Sequence, residues 1–493
     1  MLNAAQSTYD IVILGAGFGG LGMAAQLKMQ GIDNFMVLER GNRIGGVWRD
    51  NAYPGAACDT ESHLYCYSFF PHLRVSKMYA ERDELLRYMD ALAAHYEVLP
   101  HVQLNSELTE ARWDDSAQRW AFVLADGSHL QGRFFVPAWG QLNKPAIPAF
   151  KGLDSFAGQY FHSAQWPDDA QLAGKKVASI GAAASAVQYV PEVAKEAAQL
   201  TVFQRSANWI MPRNQIVFTQ EQLDAYSARP ELFHESRRDL HAFRENGFAR
   251  TRHGTDAQQE GIKIASGHLA AQVPDAELRA KLTPDYEFAC KRILRSDDYY
   301  PALIRSNVSL ETTAIDHFAP QGIVDKNGTL HEFDVVIFGT GFESQAFQGD
   351  LQVIGRNGQT LHQRWQNGAE AYLGMTVPGF PNLFMIYGPN TNLNHNSIIT
   401  MLEIQQRYII QAVQCLEAPA LDVTEEAFSA YNDALQTNMQ SSAFSSDCSS
   451  WYKNAAGKVI NNWSGTVDEY RALATDWRAS DYHLLGFYSE VVS

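Results

Sequence analysis

Tyr9-Asp-Ile-Val-Ile-Leu-Gly-Ala-Gly-Phe-Gly-Gly20 is followed by Leu21–Met29 and then by Phe35-Met-Val-Leu-Glu39. Ile11–Leu14 is short, apolar and β-branched and stops abruptly at glycine, the pattern of a strand buried on both faces of a parallel sheet. Leu21–Met29 has helical composition and Phe35–Glu39 reads as a second strand, so the segment predicts a β-α-β unit. Gly15, Gly17 and Gly20 fill G-x-G-x-x-G in that setting. The first permits the turn, the second lets a pyrophosphate approach the backbone, and the third lets the helix pack on the strand. The helix N-terminus adds a positive field.

The unit recurs about 165 residues later, with a strand at Lys176-Val-Ala-Ser-Ile180, a turn at Gly181-Ala-Ala-Ala-Ser-Ala186, a helix, and a strand ending at Arg205. Two nucleotide folds explain this repeat better than one long sheet. Counting 24 residues from Gly15 reaches Glu39, and counting 24 from Gly181 reaches Arg205. An acid there hydrogen-bonds a free ribose diol, as FAD or NAD offers; a cation suits a 2′-phosphate. The first fold therefore predicts FAD and the second NADPH. Ala183 stands where the second cradle should have its middle glycine, which predicts weakened NADPH binding. Ser185, at the start of the second helix, reads either as its cap or as a phosphate contact.

The expected class is α/β, with two Rossmann-like dinucleotide-binding folds. Residues 1–143 would form the first part of the FAD domain and 144–212 the first part of the NADPH domain, entered through the Pro-rich Lys144–Pro148. Residues 213–287 are polar and rich in Glu, Arg, Gln and Ala, and predict a helical insertion in the NADPH domain. Residues 288–340 return to that domain through the apolar strand at Asp334–Phe338. Residues 341–493 complete the FAD domain, with an amphipathic stretch at Ile398–Leu416.

The net charge of −16 disfavours nucleic acid and anionic lipid as partners, so an anionic cofactor must be held by local cations and backbone N–H groups. Cys58, Cys66, Cys290, Cys415 and Cys448 form no C-x-x-C pair and no metal-ligand spacing. They read as reduced thiols, with no metal site and no dithiol-reductase chemistry. The apolar Ile11–Ala25 carries glycines and no preceding Lys or Arg, unlike an export signal, and no run is long enough to span a membrane. The expected location is cytoplasmic.

Between the two folds stands Phe156-Ala-Gly-Gln-Tyr-Phe-His-Ser-Ala-Gln-Trp-Pro167, which fills every fixed place of F-x-G-x-x-x-H-x-x-x-W-P. Gly46, Trp48, Tyr53, Pro54, Gly55 and Asp59 fill G-x-W-x-x-x-x-Y-P-G-x-x-x-D. On these motifs the chain resembles the type I Baeyer–Villiger monooxygenases of the flavin-containing monooxygenase superfamily, above all the branch that includes 4-hydroxyacetophenone monooxygenase. Gly388-Pro-Asn-Thr391 and Asp334–Phe342 also match, with Gly339 in place of the family's usual alanine.

The resemblance implies that NADPH reduces FAD, that O2 adds at flavin C4a, and that the peroxide anion attacks a ketone to give an ester or lactone. Arg292 matches the arginine that stabilises this anion, and Asp59 the carboxylate that orients it. Lys291 joins Arg205 at the 2′-phosphate. Phe18, Arg40, Gly46, Trp48, Tyr65 and Asn390 fall among the FAD-binding positions. Trp451 lies in a tail, with Ser450–Tyr452 and Asn461–Trp463, that would close over nicotinamide or substrate. Phe156, Gly158, His162 and Trp166 would couple movements of the two folds. The competing chemistry is oxygenation of nitrogen or sulfur, which a protonated oxidant favours.

Overall fold

Ile11, Val12 and Ile13 are completely buried because their strand, Ser7–Leu14, lies inside a sheet covered on both faces. Ile11 and Ile13 face the core that the helices Phe18–Met29 and Ile398–Gln414 share, while Val12 points to the opposite core around Trp120 and Phe135. In this computed structural model, which describes residues 7–345, 347–414 and 419–486, the strand pairs in parallel with Phe35–Leu38 and with His129–Pro137. The sheet runs in the order Val102–Gln103, Phe35–Leu38, Ser7–Leu14, His129–Pro137, Arg119–Leu124, Leu108–Asp114 and Gln352–Ile354. Its antiparallel part, Leu108–Pro137, was not anticipated from the sequence, although its buried-exposed alternation has the period of a half-covered strand.

The second sheet is parallel throughout, in the order Val308–Glu311, Gln199–Phe203, Lys176–Ile180, Val335–Phe338 and Gln159–His162. The motif Phe156–Pro167 thus supplies its edge strand. The chain is an α/β protein with two Rossmann-like folds. Between them the outgoing Pro145 forms a β-bridge with the returning Phe342, so both crossings run side by side. Residues 213–287 hold the helices Gln220–Ala228, Pro230–Asn246, Asp256–Gln272 and Ala276–Lys281. Thr219, Thr255 and Asp275 accept the N-terminal N–H bonds of three of them. Among the described residues no helix is long and apolar enough to cross a membrane.

One expectation fails. Cys290 and Cys448 are joined by a disulfide, so the cysteines are not all reduced thiols. The two lie 158 residues apart, a separation that leaves no local spacing to read, and they meet only because the tail folds back beside residues 288–294. Cys58 and Cys66 are free and buried, and Cys415 lies outside the described residues, as does the end of the stretch Ile398–Leu416.

Burial of His63 should make this fold less stable in acid. His63 is 2% exposed, packed against Phe218 and Phe233 and sharing a 2.9 Å hydrogen bond with Ser236 Oγ. Burial, then the nearby His72 and Arg237, push its pKa down from 6.5 to about 4. The unfolded chain therefore binds a proton near pH 6.5 that the native state refuses. The resulting stabilisation is complete above that pH and is lost as pH falls toward 4, by roughly 3 kcal/mol for a shift of this size. A His63→Phe variant should lose less stability than wild type between pH 6.5 and 4.5 in urea titrations. Equal losses would refute the assignment.

Candidate functional site

Both glycine turns open onto one cleft of about 1450 Å³. Gly15 has φ +101° and Gly181 φ +107°, and a Cβ on either would press on a carbonyl of the following strand end, Ala138 O at 2.7 Å or Gly339 O at 2.3 Å. The two turns thus share one geometry at their first glycine. At Gly20 a Cβ would sit 1.8 Å from Gly15 O, so the helix rests directly on the turn. At Gly46 (φ +52°) it would lie 2.9 Å from Gly17 Cα, which keeps the two backbones in contact. Neither following helix carries a side-chain cap, which leaves its first N–H groups for an anion. The first cradle thus fits a pyrophosphate closely. In the second, the helix Ala186–Glu196 starts later relative to its glycine than Phe18–Met29 does, and the exposed Ala183 lines the cleft. Ser185 has helical dihedrals and makes no cap, so of its two readings capping is not realised.

Glu39 is 4% exposed. Its Oε2 accepts from Ala16 N at 2.9 Å, and its Oε1 accepts from Gly41 N and Arg49 Nη1, both at 2.7 Å. These bonds aim the carboxylate at the mouth of the first cradle. Arg49, which holds it, carried no signal in the sequence. Arg40 donates to Asn143 O at 3.1 Å at the crossing between folds. Trp48 Nε1 donates to Tyr65 Oη at 3.2 Å, and Tyr65 meets Phe18 edge-on at 5.3 Å, so these three rings form the wall from the first cradle toward Asp59.

Arg205 stands exposed beside the second cradle, with Lys291 half-buried near it. Lys291 Nζ donates to Ser206 Oγ at 3.2 Å and lies 4.2 Å from the centre of the Tyr286 ring. Burial, then the charge of Arg205, lower the Lys291 pKa. An anion bridging the two cations would relieve that repulsion.

Where the cradles meet, Arg292 grips Asp59. Nη2 lies 2.8 and 2.6 Å from the two carboxylate oxygens, and Nε donates to Oδ2 at 3.2 Å. About a third of each side chain faces the cleft, 33% and 29%. Burial pushes the Asp59 pKa up, but Arg292, with Arg244 and Arg295 behind it, outweighs burial and holds the carboxyl below its ordinary value. Asp59 in turn raises the Arg292 pKa against burial. The pair is therefore ionised on both sides at any working pH. Trp451 lies on the same wall, tied by its carbonyl to Ser344 Oγ at 3.3 Å, and the Cys290–Cys448 disulfide fastens its segment to that of Lys291 and Arg292.

Other expected residues are off the cleft wall. Asn390 is 2% exposed, and its Nδ2 donates to Val459 O at 3.0 Å and Asn462 O at 2.9 Å, anchoring the tail. Phe156 belongs to the core of the second sheet, and Gly158 lets Asp334 O come within 2.5 Å of its would-be Cβ. His162, 1% exposed, accepts from Ala164 N at 3.1 Å. Trp166 packs on Phe161 and Tyr189 at 5.0 and 5.7 Å. The sequence also gave no hint of Gln188, whose Nε2 donates to Ala57 O at 2.9 Å while its Oε1 accepts from Tyr53 Oη at 2.9 Å. That side chain latches the second fold to the loop leading into Asp59.

Residues 8–219 match the model of a family described as flavin-binding monooxygenase-like. A Baeyer–Villiger monooxygenase of Pseudomonas aeruginosa is 37% identical over 486 residues, covering 98% of this chain and 92% of that protein. Among solved structures, an oxidised steroid monooxygenase bound to NADP superposes with a TM-score of 0.85 at 30% identity, covering 95% of this chain and 97% of the other. A complex of OTEMO with FAD and NADP gives 0.86 at 25% identity, with the same coverage of both chains.

Proposed function

Because this chain belongs to the Baeyer–Villiger monooxygenases and is an NADPH-dependent flavoprotein monooxygenase that uses FAD, we propose that it inserts one oxygen atom of O2 beside the carbonyl of a ketone, with Arg292 as the fixed cation of the reaction. The observation that carries this reading is the bidentate Arg292–Asp59 pair on the wall that both cradles share. Residues 1–143 and 341–493 would form the FAD half, and 144–212 with 288–340 the NADPH half, interrupted by the helical 213–287. Gly15, Gly17, Glu39 and Gly46 would hold FAD, and Gly181, Arg205 and Lys291 would hold NADPH. Bound together, the two cofactors supply the chemistry by which ketone, O2, NADPH and a proton become ester or lactone, water and NADP+.

The protein's own part is electrostatic. A guanidinium does not release its proton at working pH, so Arg292 stabilises an oxygen anion without becoming its acid. Holding that oxygen deprotonated favours attack on a carbonyl carbon over transfer to sulfur or nitrogen. Asp59 fixes the orientation of the fork, and Trp451 closes the cleft. The test is product analysis with recycled NADPH across cyclohexanone, acetophenone, 2-dodecanone and the sulfide thioanisole. Ester or lactone supports the proposal; sulfoxide with no ester from any ketone overturns it.

The coenzyme assignment has its own test. Arg205→Ala should weaken NADPH binding roughly 10- to 100-fold, the loss of one charge-assisted bond, while NADH binding hardly changes. Equal losses for both coenzymes would remove Arg205 from the 2′-phosphate. Ala183→Gly should bind NADPH more tightly than wild type, and an unchanged dissociation constant would clear the methyl of any cost.

A further inference from the structure

The loop that presents Asp59 is gripped from behind, outside the cleft, by the helix Pro230–Asn246. Arg244 Nε and Nη2 each lie 2.7 Å from Glu61 Oε2, and Nη2 also donates to the Asp59 carbonyl at 3.4 Å. This pair is enclosed, with Arg244 8% and Glu61 4% exposed, and Tyr79 Oη donates to the other Glu61 oxygen at 3.1 Å. Two turns earlier on the helix, Arg237 Nη1 donates to the carbonyls of His63 at 2.7 Å and Cys66 at 2.9 Å. One helix thus holds both ends of the loop from Asp59 to Cys66. Arg237, Arg244 and Glu61 do not line the cleft, so contact with a dinucleotide does not account for them.

Charge balance adds a second observation. The cations facing Asp59 are Arg292, Arg244 and Arg295, while Arg213 donates to the neighbouring Cys58 carbonyl at 3.1 Å. The anions are Asp59 and Glu61; Tyr53, Tyr65 and Cys58 stand by as neutral groups. Burial and the charge of Arg244 already lower the pKa of Arg295. An Arg244 without Glu61 would be a buried cation within reach of the Asp59 loop, competing with Arg292 for the same carboxylate.

We propose that the buried Glu61–Arg244 pair is a positioning device for the oxygenation step, anchoring the Asp59 loop and keeping the Asp59 carboxylate committed to Arg292. The inference rests on the Baeyer–Villiger reading of the cleft. It assigns the helical insertion a task in the reaction although the insertion stands outside both cradles.

The test uses full-length, FAD-loaded wild type, Glu61→Gln, Arg244→Met, Arg244→Lys and the double variant Glu61→Gln/Arg244→Met, with whichever ketone of the panel wild type converts. Four quantities are read: flavin reduction by NADPH without air, ester formed per NADPH consumed, kcat against KM for the ketone, and amide hydrogen exchange over residues 58–66. In Glu61→Gln and Arg244→Met, flavin reduction and KM should stay within about twofold of wild type. Ester per NADPH and kcat should fall roughly tenfold or more, as expected when a reacting group is displaced by a fraction of an ångström to an ångström. Exchange over 58–66 should quicken, and Arg244→Lys should recover part of the loss. Unimpaired ester yield in Arg244→Met overturns the proposal, as does a parallel fall of flavin reduction, kcat and thermal stability that Arg244→Lys does not relieve. Should the single variants fail to load FAD, the double variant, which strands neither charge, decides: wild-type ester yield there also overturns it. A wild type that makes no ester from any ketone defeats the functional reading and this proposal with it, whereas ester from wild type and an unimpaired Arg244→Met defeats the proposal alone.

Discussion

Arg292→Ala should yield a protein that binds FAD and is reduced by NADPH at close to the wild-type rate, yet makes ester at least about a hundredfold more slowly. The separation of the two effects follows from the layout of the cleft. The cradles are built from backbone turns at Gly15–Gly20 and Gly181–Ser185, and none of their contacts depends on the guanidinium. What the substitution removes is the permanent positive charge on the shared wall. It also takes away the cation that outweighs burial at Asp59, so that carboxyl moves toward its neutral form and no longer belongs to an ion pair. Arg292→Ala/Asp59→Ala should therefore do no worse than the single variant, and Arg292→Lys should fall between, since it restores the charge without the two-pronged grip. Stopped-flow reduction followed by chromatography of the products checks all three. An Arg292→Ala protein with wild-type ester yield would leave the arginine a merely structural cation.

Gly20→Ala should leave the protein nearly free of FAD and markedly less stable. A Cβ at this position falls 1.8 Å from Gly15 O, a backbone atom that cannot rotate away. The helix Phe18–Met29 must lift off the strand, which disturbs the core at Leu21 and Met23 and opens the turn that would receive the pyrophosphate. Overpacking of this kind costs roughly 1–3 kcal/mol or more, and each 1.4 kcal/mol lost from binding is about a tenfold loss of affinity. Gly17→Ala is the informative contrast. Its Cβ would meet only Gly46 Cα, at an ordinary 3.6 Å, so the apoprotein should keep its thermal midpoint while FAD binding weakens. Flavin absorbance per chain and the thermal midpoint of the apoprotein separate the two variants. Wild-type values for Gly20→Ala would mean that the turn is more pliable than its geometry indicates.

The two cradles were legible in the sequence because each is a local event: a strand, a turn and a helix whose residues follow one another, so that fixed spacing carries the geometry. Arg292 and Asp59 are legible only through motifs that resemble a family, because 233 residues separate them and no period connects them. The same limit hid Arg49 behind Glu39, Gln188 across the two folds and Arg244 beneath the Asp59 loop. Each is a long polar side chain on a helix, indistinguishable in a linear reading from its solvated neighbours. Asn390 shows the reverse: the motif around it is legible, but only the structure shows its Nδ2 bonded to the tail carbonyls of Val459 and Asn462.

Hydrophobic period and glycine placement within a few dozen residues already specify two strand–turn–helix units, the acid and the cation that follow them, and an α/β class. That both turns share one cleft, that Cys290 meets Cys448, and that the helix Pro230–Asn246 braces the loop bearing Asp59 are visible in the folded chain alone. Those outcomes depend on which surfaces are buried against each other, and burial is set by the whole chain at once.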